Sequence, residues 1–190
     1  MLIGHSAAAV AAVRFATQQP DLVSAVVNVD AIVANLDTYG FSAEQRRQWA
    51  DAELQSVLAQ YDNDSGWQKL NAAPPQMRAD RAAFYHNMWL KPARQNVFSY
   101  WRDWLRTDVG RDLPHLRVPF LAIHALPADG KAASTQRAQL EERYRRAPMP
   151  PGARVVFVTG SGHTIWEYKP VLFDQLLAEF ISGSNQGARN

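Results

Sequence analysis

Apolar positions along the chain fall into two kinds of run. Short continuous runs rich in β-branched residues occur at Met1-Leu2-Ile3, Ala25-Val26-Val27-Asn28-Val29, Val118 to His124 and Arg154 to Thr159, and they predict buried strands. Between the first two lies Ala7 to Gln19, Ala-rich with Val10, Val13 and Phe15 interspersed, a pattern for a buried helix stopped by Pro20. A helix between two such runs is the signature of a βαβ unit and a parallel sheet, so the expected class is α/β. The rhythm returns late in the chain. Ser134 to Arg146 predicts a helix with Ser134 as N-cap, and Pro170 opens a last amphipathic helix whose apolar face is Val171, Leu172, Leu176, Leu177 and Phe180. The polar end, residues 183–190, is expected to be a disordered tail.

From Ile32 to Asp112 the pattern changes. Strand-like runs give way to helical periodicity, as in Trp49, Leu54, Val57-Leu58 and Tyr61, punctuated by turns at Asp62 to Gly66 and Ala73-Pro74-Pro75. This stretch holds 12 of the 20 aromatic residues and five of the six tryptophans, which suits a helical insertion with an apolar inner surface. The expected organisation is therefore a first segment at 1–30, an insertion at 31–113, and a return to α/β structure at 114–182.

Composition narrows the function. With 47% hydrophobic and 20% charged residues, the 190-residue chain can bury a core. Twenty basic against 18 acidic residues leave a net charge of +2, and the pI near 9.0 reflects that small surplus. The densest basic group, Arg143, Arg145 and Arg146, lies among Glu141 and Glu142 and reads as a solvated helix face, which argues against nucleic acid as a partner. Cysteine is absent, so thiolate metal sites, disulfides and cysteine nucleophiles are excluded. No stretch reaches the roughly 20 apolar residues of a membrane span, and no metal-ligand spacing joins the five histidines. Asp62 to Gly66 hints at a calcium loop, yet Ala73 stands where that loop needs a glutamate.

The chemistry concentrates at Gly4-His5-Ser6-Ala7-Ala8, set between a strand end and a helix start. This resembles the nucleophile elbow of the α/β-hydrolase superfamily, Gly-x-Ser-x-Gly, with Ala8 in place of the last glycine. A serine held on so tight a turn crowds its neighbours, which is why they must be small. Three further features carry the resemblance over residues 1 to 182. Ser6, Asp129 and His163 follow the superfamily order of nucleophile, acid and histidine. Ser161-Gly162-His163, followed by Trp166 and Pro170, is similar to the superfamily's histidine loop. The aromatic-rich insertion stands where those enzymes carry a helical cap.

What the resemblance implies is a partial α/β-hydrolase fold, mostly parallel, with a cap, and a serine esterase acting on carboxylic esters or related acyl compounds. Ser6 would be the nucleophile, His163 the general base, Asp129 the acid, and the Ala7 backbone N–H one oxyanion-hole donor. Asp30, at the end of the second strand run, is the alternative acid, weighed below Asp129. His5 is the variable residue of the elbow and is expected to pack; with Trp166 and cap aromatics such as Trp89, Trp101 and Trp104 it is a candidate for contact with an apolar substrate. Ordinary packing of cap helices explains most of those tryptophans equally well. Serine at the elbow argues against the superfamily's haloalkane dehalogenases and epoxide hydrolases, which use aspartate there, while carbon–carbon bond hydrolases and haloperoxidase-like members share the same triad. No cofactor and no metal are implied, and a cytoplasmic location is expected.

The resemblance also implies that four strands and most of a fifth precede the elbow in complete members, together with the loop that supplies a second oxyanion donor. Loss of one such donor costs about 2.7–4 kcal/mol in transition-state stabilisation. On that basis the chain is expected to be the C-terminal part of a hydrolase, either active or catalytically impaired, with an open sheet edge that invites pairing with a second copy.

Overall fold

The computed structural model describes residues 1–31, 41–70, 72, 79–83, 94–107, 112–146 and 149–187. They divide into two units, Met1–Tyr39 with Asp108–Asn190, and Gly40–Thr107. The first unit is built on four parallel strands, β1 (Leu2–His5), β2 (Val26–Val29), β3 (Phe120–Leu126) and β4 (Arg154–Thr159), in the spatial order β1-β2-β3-β4. The central strands β2 and β3 are buried along their whole length, and this is the reason for their unbroken apolar runs, since a parallel sheet covered on both faces has no solvent side to alternate with. At the edge of the described sheet, β1 leaves Ile3 49% exposed. The register sets His5 beside Val29 and Val29 beside Ile123, so the first two strands end level at one edge of the sheet. Helix α1 (Ala7–Gln18) carries the chain from β1 back to β2 and buries Ala9, Val10, Val13 and Ala16.

The second unit packs α2 (Ala43–Tyr61), α3 (Asp64–Leu70) and α4 (Arg94–Arg106) around Trp67, Val97 and Phe98, with Val57, Leu58, Tyr61 and Trp101 against them. A capping box starts α2: the Ser42 hydroxyl accepts from the Gln45 amide, and the Gln45 side chain accepts from the Ser42 amide. Trp67 and Trp101 stand edge-on to Phe98 at ring-centroid distances of 6.0 and 6.1 Å, so both contribute to the packing of this unit. Trp89 lies outside the described residues.

Back in the first unit, α5 (Gly130–Arg146) follows β3, and a short helix α6 (Ile165–Tyr168) and α7 (Pro170–Gly187) follow β4. Ile165, Phe173 and Phe180 close the core over Val27, Val29, Leu121, Ile123 and Val158. Two boundaries differ from the sequence pattern. The first is the start of α5, at Gly130, one turn before the expected cap Ser134, whose hydroxyl instead donates to the Gly130 carbonyl at 2.8 Å. The second is the end of α7, which runs to Gly187 through the stretch expected to fray, because Ser and Asn weaken a helix without stopping it. Among the described residues no helix is long and apolar enough to cross a membrane.

Candidate functional site

Parallel strands deliver their C-terminal ends to one edge, and the loops leaving that edge hold the polar residues singled out by sequence. Ser6 follows β1 directly. Its φ of 53° and ψ of −134° lie in a region that non-glycine residues rarely adopt, and such strain persists only where the surroundings enforce it. Here the Ser6 amide donates to the Val29 carbonyl at 3.0 Å while its own carbonyl accepts from the Ala9 amide at 3.0 Å, so strand and helix grip the residue from both sides. The tightness of the turn accounts for Gly4: a Cβ there would stand 2.4 Å from the Ala9 Cα. Ala8, which departs from the elbow pattern, is exposed, so its methyl meets no such obstacle. The Ser6 side chain makes no capping hydrogen bond to α1. Ala7 opens α1, where backbone N–H groups have no carbonyl in a preceding turn to bond.

Asp30 follows β2 and also takes a positive φ, 51°. Its amide donates to the Ile123 carbonyl at 2.7 Å, and its Oδ1 accepts from the Ala125 amide at 2.8 Å. Oδ2 accepts from His163 Nδ1 at 2.8 Å, with the Asp30 side chain 17% and the His163 side chain 54% exposed. Burial pushes the Asp30 carboxyl up, but His124, His163 and the Ala125 amide favour the charged form and together hold it down to about 2. His124 Nδ1 stands 3.8 Å from Oδ1, too far for a hydrogen bond yet close enough to act on the carboxylate charge.

His163 arrives on the loop after β4. Gly160 turns at φ 70°, and the Ser161 amide donates to the Leu126 carbonyl at 3.0 Å, tying this loop to the end of β3. Gly162 lies so close to Tyr168 that a Cβ would stand 2.5 Å from the ring. His5 fixes the far side: its Nε2–H donates to the His163 carbonyl at 3.0 Å, and its ring packs 4.3 Å from His163 and 4.7 Å from Trp166. Burial, followed by the neighbouring His163, lowers the His5 pKa and favours the neutral ring. The pattern Gly-x-Ser marks position 5 only as variable, so its hold on the histidine loop carried no sequence signal.

Asp129, the acid preferred by sequence, is placed elsewhere. Its Oδ1 accepts from the Ala132 amide at 2.7 Å and its carbonyl from the Ala133 amide at 2.8 Å, which makes it the N-cap of α5. The carboxylate on His163 is therefore Asp30, and the order of preference between the two reverses. The physical reason is register: Asp30 leaves the strand next to β1, while the first turn of α5 takes up Asp129. Trp101 and Trp104 belong to the second unit. Among the described residues no group of three or more His, Asp or Glu side chains could hold a metal ion.

No family model matches the sequence, and no curated protein matches it. Solved structures do. A variant of an epoxide hydrolase from Bacillus megaterium matches with TM-score 0.64 at 19% identity over 96% of this chain and 69% of its own. MenH from S. aureus matches with TM-score 0.63 at 15% identity over 97% of this chain and 68% of its own. A bromoperoxidase from Bacillus anthracis gives TM-score 0.61 at 15% identity over 95% and 66%. At these identities the likeness is one of fold, and this chain spans about two thirds of each of those proteins.

Proposed function

We infer that this chain, which carries a partial α/β-hydrolase fold, is a serine hydrolase of carboxylic esters or related acyl compounds, with Ser6 as nucleophile, His163 as general base and Asp30 as the acid. The observation that supports this most is the 2.8 Å hydrogen bond from His163 Nδ1 to the Asp30 carboxylate, with Ser6 held on a strained strand-to-helix turn at the end of β1, the strand paired with β2. An ionised Asp30 keeps the proton of neutral His163 on Nδ1, and Nε2 is then the lone-pair nitrogen able to take the serine proton during attack. Attack by Oγ on the acyl carbon forms the tetrahedral intermediate, whose oxyanion the Ala7 N–H stabilises. Imidazolium His163 next protonates the leaving alcohol, and water resolves the acyl-enzyme by the same steps in reverse order. His5 holds the His163 backbone, and Trp166 offers apolar surface next to it.

A series of p-nitrophenyl esters of increasing acyl length tests this reading. The expected result is turnover that Ser6→Ala reduces by about 10⁴-fold or more. Turnover unchanged in Ser6→Ala would refute it.

A further inference from the structure

Behind the acid lies a polar chain that the proposed chemistry leaves unused. His124 is 2% exposed, within the otherwise apolar β3, and a histidine so buried needs partners. Its Nε2 lies 2.7 Å from the Tyr144 hydroxyl on α5, and its ring stacks 6.0 Å from Phe157 on β4. Asn28, fully buried on β2, bonds both the amide and the carbonyl of Ala31 through its side chain, at 3.1 and 2.7 Å, and reaches the Tyr144 oxygen at 3.5 Å.

The proton positions follow from the ends of this chain. Asp30, ionised, can only accept, so its charge favours the tautomer with a proton on the His124 nitrogen facing it; a lone pair there would oppose the carboxylate at 3.8 Å. In that tautomer Nε2 of His124 is the acceptor, the Tyr144 hydroxyl donates to it, and the Asn28 amide donates to the Tyr144 oxygen. Burial pushes the Tyr144 hydroxyl well above its ordinary value and keeps that donor protonated. Every group in the row has one arrangement, and all the N–H and O–H dipoles point towards Asp30.

We propose that His124, held in one tautomer by Tyr144, is a positioning residue that acts on His163 through Asp30, by drawing on the carboxylate oxygen that His163 does not use. The Ala125 amide fixes where that oxygen lies. His124 sets how much of its charge remains for the imidazolium of His163. Among the described residues, the charged and titratable groups around the row include Asp30, Tyr144, and Asp129, Lys131 and Arg143 lining the cavity beside His124, Arg137 over the Phe157 ring, and His5 against His163 on the other side. This role rests on the triad reading for its catalytic meaning, though the coupling can be measured without it.

The test is an NMR titration of the His163 ring in the wild type, His124→Phe, His124→Asn and Tyr144→Phe, with the rate of Ser6 labelling by a fluorophosphonate followed against pH in the same samples. In His124→Phe the His163 midpoint is expected to rise by about half a pH unit, because the carboxylate charge is no longer shared. Labelling then slows about threefold near pH 6 and is unchanged near pH 9, a profile that loss of structure alone does not produce. Asparagine at 124 keeps an N–H where Nδ1 stands and should restore the wild-type midpoint; Tyr144→Phe should move it in the same direction as phenylalanine by less. A folded His124→Phe with the wild-type midpoint and profile overturns the proposal. Should that variant not fold, an unshifted Tyr144→Phe overturns it equally. A shifted midpoint without any Ser6 labelling in the wild type overturns the hydrolase reading and upholds the coupling.

Discussion

Two aspartates compete for one histidine at the residue scale, and their surroundings decide between them. Asp30 Oδ2 accepts from His163, whereas Asp129 caps α5. Asp30→Asn should lower ester turnover by about 10⁴-fold, because an amide in place of the carboxylate favours the wrong tautomer of His163. Asp129→Ala should leave turnover within about twofold, as measured by kcat/KM on the same ester. The strand-to-helix turn at Ser6 and the loop after β4 that carries His163 were legible in the sequence, since a small-residue turn and a strand followed by Gly-Ser-Gly-His need no knowledge of packing. Which carboxylate meets His163 was not, because the number of residues past a strand says nothing about which neighbouring element a carboxylate meets. Asp129-Gly130 before an Ala-rich helical run is itself an N-cap signal that could have separated the two.

At the scale of elements, the site depends on how closely strand ends and helix starts approach each other. Gly4 allows β1 and α1 to meet at a distance that no Cβ tolerates. Gly4→Ala should therefore destabilise the fold by about 1–3 kcal/mol in denaturant unfolding, as overpacking does. Asp129→Ala removes a cap and should cost about 1 kcal/mol of stability while sparing activity. The strands β2 to β4 and the helices α1 and α7 were legible because buried parallel strands and amphipathic helices carry period and length in their apolar residues. Helix ends were less so. The start of α5 rests on a side chain five residues before Ser134, and α7 continues past its last apolar turn to Gly187.

Across the whole molecule, one partly buried charge links the site to the stability of the first unit. Asp30 is held from its ordinary 3.8 down to about 2, so the folded state binds this proton less readily than the unfolded chain. The sign follows directly: the stabilisation, about 2 kcal/mol, is fully present above pH 4 or so and is lost as pH falls towards 2. Asp30→Asn should flatten that part of the stability profile in urea unfolding at successive pH values. The fold is shared with proteins of 15 to 19% identity, so it is the arrangement of strand ends, and not overall sequence, that brings Ser6, Asp30 and His163 to one edge. The central claim is that Ser6 is an activated nucleophile, and intact-mass spectrometry after exposure to a fluorophosphonate tests it most directly. A single adduct that disappears in Ser6→Ala and forms far more slowly in Asp30→Asn is the predicted result. A folded protein that gains no adduct, or gains one that Ser6→Ala retains, would contradict it.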